Sequence, residues 1–114
     1  MKYFFDSTTP LWLSGALSGK PAGVFTSTGG IHSGQESTLL SMMLPLMHHG
    51  MLIMSLPCNE IALRETETGG SPYGPTHYSE HGHKTGKLSE QEKKLCQVLG
   101  SRLAHVAIRL KQNG

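Results

Sequence analysis

Apolar and polar positions along this 114-residue chain separate into short, clearly punctuated blocks. Ala22 to Thr26 is a smooth apolar run, too short to alternate, and it predicts a parallel strand covered on both faces. Residues 36–48 carry Leu39, Leu40, Met43, Leu44 and Met47 at helical spacing and predict a helix with one broad apolar face. Pro45 removes the bond to the Ser41 carbonyl and should kink or loosen the last turn, and Gly50 is a natural stop. Met51 to Leu56 predicts a second buried strand, closed by Pro57. Strand, helix, strand at this spacing is one βαβ crossover, expected to be right-handed. Ser89-Glu90-Gln91-Glu92 has the form of a capping box, opening a helix to about Lys111. Leu95, Leu99, Leu103, Val106 and Leu110 make its apolar stripe, interrupted by Gly100 at a cost of up to about 1 kcal/mol.

The other blocks lack periodicity. Residues 1–6 read as a helix end bearing Tyr3, Phe4 and Phe5, and residues 7–21 as a connector with Leu11, Trp12 and Leu13 set in it. Residues 57–88 read as a long loop rich in Gly, Pro, Thr and His, a length that points to function or disorder. The expected organisation is one α/β domain: helix end and connector (1–21), strand–helix–strand (22–56), long loop (57–88) and C-terminal helix (89–111).

Composition narrows the function. Apolar residues at 37% and charged residues at 16% suit a globular chain. A formal charge of +2, dispersed and without interleaved aromatics, argues against a nucleic-acid groove. No apolar run approaches the roughly 20 residues of a membrane span, and Asp6 breaks the N-terminus too early for a signal peptide. Cys58 and Cys96 fit no zinc or redox spacing, so they read as free thiols in a reducing compartment, the cytoplasm. Cys96, beside Leu95, is expected to be a buried, inert thiol, and Met42, Met43, Met47, Met51 and Met54 core filler.

Chemistry concentrates where the first strand ends. Val24 to Glu36 passes from an apolar run through Ser27, Thr28, Gly29, Gly30, Ile31, His32, Ser33 and Gly34 to a helix start. Small residues let backbone N–H groups approach a ligand, and the helix N-terminus adds positive potential. In open α/β sheets ligands bind at such loops. His48 and His49 are adjacent, so on a helix only one of them faces a given site. His77, His81 and His83, with Glu80, share a loop and suggest metal. No cysteine stands near them, and no metal site is expected.

Four blocks in order carry a resemblance. They are Phe5-Asp6 with Leu11-Trp12 and Ser14-Gly15-Ala16-Leu17 to Gly19-Lys20-Pro21; Phe25-Thr26-Ser27-Thr28 to His32-Ser33-Gly34-Gln35-Glu36; Leu46-Met47-His48-His49-Gly50-Met51; and Gly69-Gly70-Ser71-Pro72-Tyr73-Gly74. Across nearly its whole length the chain resembles the C-terminal half of the WrbA-type NAD(P)H:quinone oxidoreductases, tetrameric FMN proteins of flavodoxin-like fold. The resemblance implies the C-terminal half of a flavodoxin-like parallel sheet, with two parallel strands and two long helices. It implies that Ser27, Thr28, Gly29, Gly30, Ile31, His32, Ser33 and Gly34 wrap the isoalloxazine edge of FMN, with His48 at the flavin. It implies that Trp12 lines the quinone and nicotinamide pocket, facing a neighbouring subunit's flavin. NAD(P)H would be the co-substrate, and hydride transfer through the flavin needs no catalytic residue of the protein's own. The Pro72-Tyr73-Gly74 block would begin a loop flanking the site.

The chain departs from the family pattern at Ile31, where the family has Gln; at Ser33, often Gly; and at Cys58, often Tyr. Ile31 can contribute only its backbone. The family's N-terminal half, with its FMN-phosphate loop, second flavin loop and three of five strands, has no counterpart here. Two readings follow: an FMN-dependent NAD(P)H:quinone oxidoreductase, or a non-catalytic remnant or half-chain that needs another polypeptide to complete the FMN site. In the second, an unpaired strand edge makes the isolated chain unstable or oligomeric.

Overall fold

The computed structural model describes residues 1–79 and 86–113. Nine elements follow in order: α1 (Lys2–Asp6), α2 (Thr9–Ser14), β1 (Pro21–Ala22), β2 (Thr26–Thr28), α3 (Gln35–His48), β3 (Leu52–Ile53), α4 (Ile61–Glu65), β4 (Thr76–Tyr78) and α5 (Glu90–Asn113). The architecture is α/β, a partial flavodoxin-like arrangement. The strand expected at 22–26 is split. Its first part pairs in parallel with β3 (Pro21↔Leu52, Ala22↔Ile53), and its second pairs in parallel with β4 (Thr26↔Thr76, Ser27↔His77, Thr28↔Tyr78).

The split has a cause downstream. After β3 the chain leaves the ladder through α4 and returns at β4, so two segments share one long neighbour. The 57–88 stretch, read from sequence as loop, thus holds a short helix and a strand. Tight packing admits the returning chain. A side chain at Gly74 would strike the Val24 carbonyl, and one at Gly69 would strike the Thr76 carbonyl and the Glu92 carboxylate. The Gly-Gly-Ser-Pro-Tyr-Gly block is therefore a close-approach motif between β2, β4 and α5.

α3 begins at Gly34 and continues through Pro45 to His48, one residue longer than expected and with its last turn intact. Gly50 ends it with φ +77, and its N–H bonds the Met47 carbonyl while that of Met51 bonds the Leu46 carbonyl. This is the Schellman pattern that closes a helix through a left-handed residue. Leu39 is buried, but Leu40, Leu44 and Met47 are exposed, because the short sheet is narrower than the helix's apolar face. The core proper lies elsewhere: Leu56, Ala62, Leu95 and Leu99 form a buried cluster, with Met54, Leu63, Val98 and Leu103 against it. The distal turns of α5 run beyond this cluster and leave Ile108 and Leu110 exposed. Nothing lies within 4 Å of the space a side chain at Gly100 would take, and nothing in the structure explains that glycine.

Glu92 joins these parts. The capping box forms as expected: Ser89 N–H donates to Glu92 Oε1 at 2.8 Å, and Glu92 N–H donates to Ser89 Oγ at 3.1 Å. The carboxylate does more than cap. It is 1% exposed, and its Oε2 also accepts the N–H groups of Gly69 (2.9 Å) and Tyr78 (2.8 Å), while Oε1 lies 3.1 Å from His77 Nδ1. Burial alone would raise the Glu92 pKa. The hydrogen bonds from Ser89, Tyr78, His77 and Gly69 outweigh it and hold the pKa below its ordinary 4.5.

A lowered folded-state pKa makes this contribution fully present above 4.5 and lost as pH falls further. We expect Glu92→Gln, which offers one acceptor oxygen to three backbone donors, to cost about 1–3 kcal/mol for each N–H stranded. Denaturant titrations should show that loss at neutral pH and a smaller difference between variant and parent at pH 3. An equal difference at both would contradict the assignment.

Candidate functional site

The loop after β2 is held from beneath. Thr28 Oγ1 donates to the Gly30 carbonyl at 2.8 Å and accepts from Gln35 Nε2 at 2.7 Å. Gln35 is 8% exposed, and its Oε1 accepts the Thr76 hydroxyl at 2.8 Å, which itself accepts the Gly70 N–H at 2.6 Å. Gln35 Nε2 also reaches the His77 carbonyl at 3.4 Å. One amide thus ties β2 to β4 and fixes the bend between Thr28 and Gly30. A polar residue opening a helix reads as surface in the sequence; only its place directly after Gly34 hinted otherwise.

Above this support the loop is open. Gly29, Ile31, His32, Ser33 and Gly34 are exposed, as is Ser27 on the strand, while Thr28 and Gly30 are half-buried. Gly34 takes φ +75 and starts α3 with no side-chain cap. The N–H groups of Gly29, Gly30, Ile31 and His32 have no partner among the described residues, whereas Ser33 N–H bonds the Gly30 carbonyl at 3.2 Å. A cleft of about 530 Å³ adjoins the loop, lined by Ile31, His32, Gly34 and the start of α3 on one side and by Thr66, Thr68 and Gly70 on the other.

Trp12 and His48 form a second locus. Their rings stack at 4.7 Å between centroids and 20° between planes. A cleft of about 350 Å³ there is lined by residues of α1, α2 and the end of α3. The sequence reading put His48 close to the loop. Within one chain it is not: the loop opens α3 and His48 closes it, so the length of the helix, about 20 Å, lies between them.

The remaining expectations resolve individually. Cys58 and Cys96 are unpaired. Cys96 is exposed as a residue, not buried, yet partial desolvation of its sulfur and then the Glu92 charge push its pKa up, away from a reactive thiolate. Met47 is 57% exposed, so it is not core filler. His77 of the histidine set is engaged by Glu92, whereas Glu80, His81 and His83 lie outside the described residues. Among the described residues no group of three or more His, Cys, Asp or Glu side chains could hold a metal, and no helix is long and apolar enough to cross a membrane.

No protein-family model matches the chain. Curated relatives do. It is 42% identical over 114 residues to a protein named NAD(P)H dehydrogenase (quinone) from Solidesulfovibrio magneticus, covering 97% of this chain and 55% of that one. Proteins of the same name from Trichlorobacter lovleyi (41% over 112 residues; 96% and 54%) and Archaeoglobus fulgidus (42% over 110 residues; 96% and 52%) match equally well. The chain spans about half the length of the curated relatives it matches.

Gln35 gives the loop a specific vulnerability. Gln35→Ala should cost about 1–3 kcal/mol through the stranded Thr76 hydroxyl. It should also speed hydrogen exchange at residues 28–34 more than at the buried turns of α5. Uniform acceleration across the chain would show that Gln35 supports the fold generally and not the loop.

Proposed function

We propose that this chain, which belongs with the proteins named NAD(P)H dehydrogenase (quinone) and matches about half their length, supplies the ring-facing half of an FMN site for NAD(P)H-dependent quinone reduction. One observation carries the reading. The Ser27–Gly34 loop presents four backbone N–H groups without a partner among the described residues, with Ile31 and His32 lining a cleft, on a bend braced by Gln35. Such donors suit the carbonyl and ring-nitrogen edge of an isoalloxazine, and the absence of bulky side chains on Gly29, Gly30 and Gly34 lets a flat ring approach. Ile31, 42% exposed at the lip, contributes its backbone.

The fit is partial in an informative way. Neither Lys nor Arg lines the cleft by the loop, so no side-chain charge there answers a phosphate. Charge-assisted bonds to a phosphate contribute about 1.5–3 kcal/mol each, and several are needed to retain FMN. The phosphate grip belongs to a second polypeptide surface. Trp12 and His48, a helix length away, serve a flavin held by a neighbouring copy, where their stacked rings flank the quinone and nicotinamide position. Bound FMN, held at its ring edge by the backbone of residues 29–32, would supply two-electron hydride chemistry between NAD(P)H and a quinone. This chain orients the ring and shields one side of it. Two unpaired thiols suit a reducing cytoplasmic setting.

The excess surface favours a partner-dependent form of this reading over a self-sufficient one. The chain exposes 7600 Å², where about 6,100 Å² is usual for 12.4 kDa.

Flavin fluorescence titration and an NADH:quinone assay test the proposal. The chain alone should bind FMN weakly. Combined with a polypeptide matching the uncovered half of a relative, it should acquire a stoichiometric flavin spectrum and quinone reduction. Gly30→Val, which forces a side chain against Ser33, should weaken FMN about tenfold in that combination, equivalent to one or two lost backbone hydrogen bonds. Absence of flavin from the combined protein would overturn the reading.

A further inference from the structure

We propose that Thr8 and His49 are positioning residues that set the Trp12–His48 stack. His49 is 8% exposed at the C-terminal cap of α3, directly after His48. Its Nε2 lies 2.8 Å from Thr8 Oγ1, across 41 residues of sequence. The Thr8 hydroxyl has one proton and donates it to the Phe5 carbonyl at 2.6 Å. It therefore accepts from His49 Nε2–H, and His49 Nδ1 is buried with no hydrogen-bond partner among the described residues. The hydrogen bonds run in one direction, from the imidazole through the hydroxyl to the end of α1.

Thr8 is also the N-cap residue of α2, its carbonyl accepting the N–H groups of Leu11 and Trp12. The connection closes into a ring: Thr8 starts the helix that carries Trp12, Trp12 stacks on His48, and His49, the next residue, returns to Thr8. Trp12 and His48 are both partly open to solvent, and neither has another aromatic partner among the described residues. Two exposed rings hold one stacked geometry only if their backbones are fixed relative to each other. The part-buried Thr8–His49 bond provides that constraint between α2 and α3. The functional weight of the stack rests on Trp12 and His48 facing the substrate; the stack itself does not.

Trp12 is the only tryptophan, so its fluorescence reports this geometry directly, in the full chain and without flavin or quinone. The probe is collisional quenching by acrylamide, with far-UV circular dichroism as the check on folding. Thr8→Val and His49→Asn break the bond. They should raise the Stern–Volmer constant about twofold, as for an indole going from 41% to full exposure and as in His48→Ala. Thr8→Ser keeps the hydroxyl, and His49→Gln keeps a donor at the Nε2 position; both should quench as the parent does. If Thr8→Val unfolds the chain, the contrast between His49→Asn and His49→Gln decides. Parental quenching in the two breaking variants, or equal damage from the conservative and breaking ones, overturns the proposal. So does loss of helical signal in all four. Failure of the flavin assay with this pattern intact would count against the redox reading alone.

Discussion

A buried carboxylate must be surrounded by donors, and at Glu92 that requirement organises the molecule. Its two oxygens gather the backbone of the 69–70 turn, the backbone of β4, the capping residue of α5 and the His77 ring. Removing any of these leaves a charge with too few partners, so three segments, the 69–70 turn, β4 and the start of α5, must arrive together. From there the polar connection continues: the His77 carbonyl meets the Gln35 amide, Gln35 meets Thr28, and Thr28 closes the Gly30 bend. The 27–34 loop is the far end of a network anchored at the start of α5. The apolar cluster around Leu95 and Leu99 supplies much of the burial, but its forces have no direction. Register between β2 and β4 comes from this polar network.

The same structure buries little for its size. Phe25, 74% exposed, sits on the strand segment between β1 and β2, and Leu40, Leu44 and Met47 form an exposed stripe on α3. The radius of gyration, 15.3 Å, exceeds the roughly 13 Å of a compact chain this long. The surplus surface, about 1,500 Å², is nearly twice the roughly 800 Å² that a standard protein–protein contact removes from one partner. Polar design and apolar design thus differ in completeness. The hydrogen-bonded loop support is closed within the chain, while the apolar faces await cover.

Elements with their own local signal were legible in the sequence. Ser89 and Glu92 announced α5; apolar spacing and Gly50 bounded α3; the apolar runs at 22–26 and 51–56 reached the sheets only in part, the first at Ala22 in β1 and Thr26 in β2, the second as β3. β4 was not legible, because Thr76-His77-Tyr78 is polar and its strand character comes from Thr26, Gln35 and Glu92, all distant in sequence. α4 escaped notice because five residues with one buried alanine carry no periodicity. In the site, the glycine-rich bend was visible from its residue types, but its support was not, since a buried glutamine looks like any other. The distance between that bend and His48 was available from helix geometry alone.

We propose that the exposed apolar faces of this chain meet a partner surface. Sedimentation velocity across a hundredfold range of concentration tests it most directly. The chain alone should associate in a concentration-dependent way, and a discrete complex should form when the polypeptide matching the uncovered half of its relatives is added. A species that stays monomeric throughout, unfolds sharply at a temperature independent of concentration and ignores that polypeptide would contradict it.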